Sequence, residues 1–169
     1  EARREIMRSI INKASAVVVM AGSAKKILNE DYDIHDSNKM FHIHHGVPQV
    51  PFSSKNAKKK INLENKIILS TFGLLSRGKG IEYVIKALPA LVKKFPKLIY
   101  LVIGETHPQV RKREGESYRN MLAKIVDDLG LKNNVRFYNK YMTLKEITAY
   151  LSATDIYISS ALDENQIVS

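Results

Sequence analysis

From Lys66 onward, short runs that are apolar throughout alternate with segments of helical periodicity, and this alternation leaves the chain few folds to choose from. Ile67–Phe72, Leu98–Ile103, Val135–Tyr138 and Asp155–Ser159 read as strands. Between them, residues 81–95 form a helical pattern with Val84, Ile85, Leu88, Leu91 and Val92 on one side. Residues 118–129 do the same with Leu122, Ile125 and Val126, and a shorter helix covers Leu144–Leu151. A strand that is apolar on both faces needs cover on both faces. Strands separated by amphipathic helices meet that need as a parallel sheet. The expected fold is therefore α/β, a Rossmann-like doubly wound parallel sheet. No internal repeat is visible.

The earlier part of the chain reads as a smaller piece of the same kind. Arg3–Ala14 is expected to be a helix with Ile6, Ile10 and Ile11 on one side, followed by a buried strand over residues 16–20. Ser23 is placed to cap a second helix through Leu28. Met40–His45 reads as a strand that Gly46-Val47-Pro48 stops. From Pro48 to Lys60 two Pro, two Ser and the run Lys58-Lys59-Lys60 suggest an exposed crossing with solvated lysines. The expected organisation is residues 1–48 as the end of one domain, 49–60 as a linker, and 61–169 as a second domain. The chain opens on Glu1-Ala2-Arg3-Arg4-Glu5 without Met and stops at Ser169 just after a strand and its loop. Both ends are expected to lie inside a longer protein.

Composition narrows the function classes. With 169 residues of which 44% are hydrophobic, the chain can build one core or parts of two. It contains no Cys, so disulfides and thiolate metal sites are excluded. No apolar run reaches the length of a membrane span, and the N-terminus is not a signal peptide. The net charge of +10 is shared evenly between residues 1–60 and 61–169. An even basic surface suits anionic small molecules and peripheral contact with anionic membranes; a nucleic-acid arm is more lopsided.

Open α/β sheets bind ligands at the carboxyl ends of their strands. After the strand at 67–72 comes Gly73-Leu74-Leu75-Ser76-Arg77-Gly78-Lys79-Gly80, and then a helix. Gly73, Gly78 and Gly80 let a phosphate approach the backbone, the helix N-terminus offers free amides, and Arg77 and Lys79 add cations. The competing interpretation is a glycine-rich turn with two solvated cations. The same stretch nearly spells a P-loop, but that loop needs Ser or Thr where Gly80 stands.

The other strand ends offer further candidates. Gly104 permits close packing or ligand approach, and Glu105 can bond a sugar hydroxyl. His107 before Pro108 reads as a packed loop histidine, with acid/base chemistry as the alternative. Residues 111–119 are dense in charge, either an anion-binding edge or the exposed start of a helix. Tyr138 and Asn139 suit the edge of a nucleobase, or are an ordinary strand-to-helix loop. Asp163, Glu164 and Gln166 follow the last strand and can bond ribose or sugar hydroxyls, whereas Asp155 at that strand's start reads as structural. His42 and His44 share a strand face while His45 points away; with no carboxylate nearby in sequence, no metal site is expected.

These loops, in this order, resemble the large retaining glycosyltransferase family with the GT-B fold known as family four or group one. Phe72–Glu82 fits the family's strand, then a pattern like G-R-L-x-x-x-K-G, then a helix. Leu101-Val102-Ile103-Gly104-Glu105, Leu129-Gly130-Leu131, Val135-Arg136-Phe137 and residues 150–159 follow in family order, and His44–Pro48 looks like the crossing between domains. The resemblance covers nearly the whole chain.

It implies an enzyme that moves a sugar from a nucleoside-diphosphate sugar to a hydroxyl acceptor with retained configuration. Residues 1–48 would close the acceptor domain, and residues 61–169 would begin the donor domain. Lys79 would neutralise the departing diphosphate, with no cofactor and no metal ion. The family's Arg partner falls at Leu74, and Arg77 would supply that charge. The first of the family's two Glu falls near Asp163, Glu164 or Gln166; the second lies past Ser169. The acceptor would be a glycan, a lipid-linked glycan or another hydroxyl compound, as in polysaccharide biosynthesis, with no nucleic-acid partner. The location implied is cytoplasmic, with possible peripheral contact at the inner membrane face. The fragment alone is expected to be inactive. Two other classes compete: a P-loop-like nucleotide-dependent phosphotransferase, and a non-catalytic nucleotide- or carbohydrate-binding module.

Overall fold

The structure, a computed structural model, describes residues 1–35, 38–46 and 54–162. The chain divides into two compact units, Glu1–Gln49 and Val50–Ser169.

The first unit runs α1 (Ala2–Lys13), β1 (Val17–Val19), α2 (Gly22–Glu30) and β2 (Met40–His42). β1 and β2 pair in parallel, with Val17 opposite Met40. Its core is small: Ile11, Ile34 and Met40, with Met7, Val17, Leu28 and Tyr32 packed against them. Here the expected helix face is corrected. Met7 and Ile11, one turn apart, form the inward stripe, while Ile6 and Ile10 are exposed. β1 is not buried on both faces, because Val18 is also exposed. Ser23 does not cap α2; it lies inside the helix, whose N-cap is Ala21.

The second unit holds α3 (Ser54–Lys60), β3 (Ile67–Phe72), a single 3-10 turn (Arg77–Lys79), α4 (Ile81–Lys94), β4 (Leu98–Ile103), α5 (Pro108–Glu114), α6 (Ser117–Asp128), β5 (Val135–Tyr138), α7 (Leu144–Ala153) and β6 (Ile156–Tyr157). The sheet is parallel, with strand order β5-β4-β3-β6. All six residues of β4 are buried. Leu98, Tyr100 and Val102 join a core that also contains Ile85 and Leu88 of α4 and Leu122 of α6. Ile99, Leu101 and Ile103 join a second core with Ala57 of α3, Ala153 of α7, and Met142 in the loop before α7. The doubly wound reading is thus met by helices on both faces of one sheet.

The expected solvated linker is corrected from Ser54 onward. Residues 54–60 form α3, which packs against α7. Lys58 is not a loop lysine: its side chain is 14% exposed and ion-paired with Asp155. Asp155 is structural as expected, since it also accepts the backbone N–H of Ile68 at 2.7 Å. The charged stretch 111–119 spans two helices: its first residues end a separate short helix, α5, and after Gly115 the rest opens α6, with Glu116 at the N-cap. His107 caps α5 through Nδ1, which accepts the N–H of Gln109 at 3.1 Å, and Pro108 follows.

The strand order sets the location of the crevice. From β3 the chain steps outward to β4 and then β5, and β6 returns to the other side of β3. The turning point of a doubly wound sheet lies between the loops that leave the two strands flanking the reversal. Here those are the loop after β3 and the loop after β6.

Candidate functional site

At the end of β3 the backbone changes direction through Gly73, with φ 127°, and β4 ends in the same way at Gly104, with φ 139°. The two meet backbone to backbone. A Cβ on Gly104 would fall 2.1 Å from the carbonyl oxygen of Gly73, so no side chain is tolerated there. The ladder then resumes, with the Leu75 N–H donating to Glu105 O at 2.9 Å and the His107 N–H to Leu75 O at 3.0 Å.

Beyond Leu75 the chain tightens into the turn Arg77–Lys79 and enters α4 through Gly80, whose φ of 61° is left-handed. This turn folds Lys79 inward, leaving it only 9% exposed. Its ammonium lies beside Gly73: a Cβ there would be 3.7 Å from Lys79 Nζ. Burial pushes the Lys79 ammonium below its ordinary pKa. An anion arriving at Gly73 would relieve that penalty.

Arg77 faces elsewhere. Its guanidinium lies 5.7 Å above the Tyr118 ring, Nε reaches Glu114 Oε2 at 3.4 Å, and Nη1 approaches Met121 Sδ at 3.8 Å. The loop thus brings Lys79 to Gly73 and sends Arg77 to α5 and α6. Gly78 contributes its carbonyl, which accepts the Leu162 N–H at 2.9 Å.

A cavity of about 470 Å³ opens at this edge of the sheet, lined by Gly73, Leu74, Gly104, Glu105, Lys140 and Tyr141, with Phe72, Ile103, Met142, Ile147, Leu151 and Tyr157 supplying the apolar wall. Leu74 is therefore a cavity residue, at the position where the family pattern has Arg. Glu105 is held by Arg111 at 3.0 Å, and this bond raises the Arg111 pKa. Tyr138 packs against Tyr150, ring centroids 4.9 Å apart, within the α3–α7 core. Burial, with the hydrogen bond to Tyr138, pushes the Tyr150 hydroxyl up to about 12. Asn139 is exposed, and the aromatic that reaches the cavity from this loop is Tyr141, 79% exposed. Asp163, Glu164 and Gln166 lie outside the described residues.

Two features were invisible to sequence reasoning. One is the buried Arg119, 9% exposed, which donates from Nη2 to Gly104 O at 2.8 Å and from Nε to Glu116 at 3.3 Å. Glu116 in turn accepts from the hydroxyl of Thr106, the main reason its carboxyl is held below the usual range. The other is Ser160, whose hydroxyl donates to Lys79 O at 2.7 Å. No local pattern marks either residue, because their partners come from other loops. Among the described residues no cluster of three or more His, Cys, Asp or Glu is arranged to hold a metal ion, and no helix is long and apolar enough to cross a membrane.

A parallel sheet covered on both faces, with glycines closing the ends of β3 and β4, defines a doubly wound α/β protein. The chain belongs to the glycosyl transferases group 1 family, whose model matches residues 53–165. A similar curated protein is the uncharacterized glycosyltransferase MJ1069 of Methanocaldococcus jannaschii, 28% identical over 163 residues, covering 94% of this chain and 38% of that protein. Among solved structures, a glycosyltransferase from Rickettsia africae matches with a TM-score of 0.70 at 21% identity, over 96% of this chain and 42% of its own. Anabaena Alr3699/HepE in complex with UDP matches with a TM-score of 0.67 at 18% identity, over 89% of this chain and 39% of its own. At these identities the structures speak for the fold, that of the GT-B glycosyltransferases. The chain thus spans well under half the length of these relatives.

Proposed function

We propose that the protein to which this chain belongs transfers a sugar from a nucleoside-diphosphate sugar to a hydroxyl acceptor, with retained configuration, and that the diphosphate is held at Gly73–Gly80. The observation that carries this is the buried Lys79 ammonium folded beside Gly73, in the turn that leads into α4. The first turn of that helix follows directly, and the positive end of its dipole, carried by its backbone amides, adds potential where the leaving diphosphate would gain charge. The Lys79 cation and these amides do the work that a metal ion does in other transferases. The nucleoside fits the adjacent cavity, with Tyr141 at its mouth and Glu105 at its rim. The acceptor class is a glycan, a lipid-linked glycan or another hydroxyl compound, and the basic chain suits a cytoplasmic protein touching an anionic membrane face.

The P-loop alternative is disfavoured by Gly80. A Ser or Thr there would drive its Cβ to 2.4 Å from the Ser160 carbonyl oxygen, in a left-handed conformation. The deciding experiment is calorimetric titration with UDP, GDP and ADP, with and without Mg²⁺, on the wild type and Lys79→Ala. Metal-independent binding of one diphosphate, weakened more than about tenfold by the substitution, is expected for a charge-assisted contact. Binding that needs a triphosphate and Mg²⁺ would replace this reading with the phosphotransferase.

A further inference from the structure

The loop after β3 and the loop after β6 are joined at consecutive residues. Ser160 Oγ donates to Lys79 O at 2.7 Å, the Leu162 N–H donates to Gly78 O at 2.9 Å, and a Cβ on Gly80 would strike Ser160 O at 2.4 Å and the Leu162 side chain at 3.1 Å. Gly78, Lys79 and Gly80 thus each meet the 160–162 segment. The 3-10 turn has few bonds of its own: Lys79 N–H to Ser76 O and Gly80 N–H to Arg77 O. Hydrogen-bond geometry in a 3-10 turn is poorer than in an α-helix, so contacts from outside add to its definition.

We infer that Ser160 is a positioning residue for Lys79. It acts through the Lys79 carbonyl, fixing the turn so that the side chain projects toward Gly73 instead of into solvent. This deepens the donor-site reading and rests on it. The chain leading into Ser160 is anchored to the sheet at Ile158: Thr71 Oγ1 donates to Ile158 O at 2.8 Å, and the Ile158 N–H donates to Ser70 O at 2.8 Å. Removing the Ser160 hydroxyl therefore leaves these bonds and the Leu162 N–H to Gly78 O bond in place and removes only the one to the Lys79 carbonyl.

The test compares UDP, GDP or ADP, whichever the wild type binds, with the matching monophosphate, on the wild type, Ser160→Ala, Ser160→Thr, Lys79→Ala and the double variant Ser160→Ala/Lys79→Ala. Ser160→Ala is expected to weaken diphosphate binding about tenfold, the scale of one hydrogen bond, and to leave monophosphate binding unchanged. Ser160→Thr, which keeps the hydroxyl, restores affinity. In the Lys79→Ala background the Ser160 substitution has no further effect, because both act through one group. Equal diphosphate affinity in Ser160→Ala and wild type overturns the inference while the donor site stands. Equal losses for diphosphate and monophosphate, additive with Lys79→Ala, also overturn it, since they mark a general structural role. A wild type that binds no nucleoside diphosphate removes the donor-site reading itself, and the inference with it.

Discussion

The carboxylate of Asp155 lies 2.6 Å from Lys58 Nζ, so the helix that opens the second unit is tied to the start of β6 by a pair 97 residues apart in sequence. The same carboxylate takes the N–H of Ile68, and the same ammonium donates to Lys66 O at 3.0 Å. Asp155→Ala would leave a largely buried lysine without its counter-charge and a β3 amide without its acceptor. A loss of about 2 kcal/mol is expected, below the figure for fully buried pairs because Asp155 is partly exposed. Urea unfolding checks it, and Lys58→Met should cost less, since it removes the buried charge along with the pair.

The glycines separate strain from steric exclusion. Gly130, at the end of α6, has φ 66° but open space around it, so Gly130→Ala meets only the left-handed penalty, about 1 kcal/mol. Gly104→Ala meets the Gly73 carbonyl at 2.1 Å and forces β3 and β4 apart at their ends. A loss of at least ~3 kcal/mol is expected, together with loss of diphosphate binding. Thermal unfolding of the two variants gives the contrast; equal destabilisation would mean the close approach is not maintained in solution.

Arg77 and Lys79 are expected to differ as ligand contacts. Arg77 is paired with Glu114 and stacked on Tyr118, and its side chain is exposed. Arg77→Ala should weaken diphosphate binding by about threefold or less, the scale of a solvent-screened charge. A larger loss than that of Lys79→Ala in the same titration would show that Arg77 turns to meet the ligand.

Alkaline pH should unfold the second unit through its buried tyrosines. Burial pushes the Tyr100 hydroxyl up to about 12, although its bond to Thr71 opposes this. In the unfolded chain a tyrosine ionises near about pH 10. Between those values the folded state holds the proton that the unfolded state has lost, so stability falls as pH rises, by about 1.4 kcal/mol per pH unit for this group. Below about pH 10 it gives no slope. Tyr118, raised by burial and by its bond to Glu82, acts in the same direction. Urea midpoints measured from pH 8 to 11.5 should therefore decline above 10, and Tyr100→Phe should decline less steeply.

What was legible in the sequence was what neighbouring residues decide. β4 lies where its apolar run placed it, because a strand buried on both faces has no polar positions to blur its ends, and β3 and β5 also match their expected bounds although they carry Ser70, Thr71 and the exposed Arg136. α3 was not legible. Its only buried apolar residue is Ala57, and its tie to the sheet comes through Lys58 and Asp155. α1 was legible as a helix, but its inward face was not, because Ile6 and Ile10 compete with Met7 and Ile11 for the same role. At the site, the glycines of the β3 loop and Gly104 were readable from their place after strands. The burial of Lys79 was not, and neither were Ser160 and Arg119, since each depends on a loop from elsewhere in the chain.

The bond between Ser160 and Lys79 spans 81 residues. During synthesis the glycine loop, α4 and β4 emerge and can pack while the partner that steadies their turn has not yet been made. The turn that carries Lys79 thus gains this bond only after residues 160–162 have been made. For the same reason, the eight residues from Gly73 to Gly80 are not portable. Grafted alone onto another α/β scaffold, they would reproduce the glycines and the lysine but leave its ammonium in water.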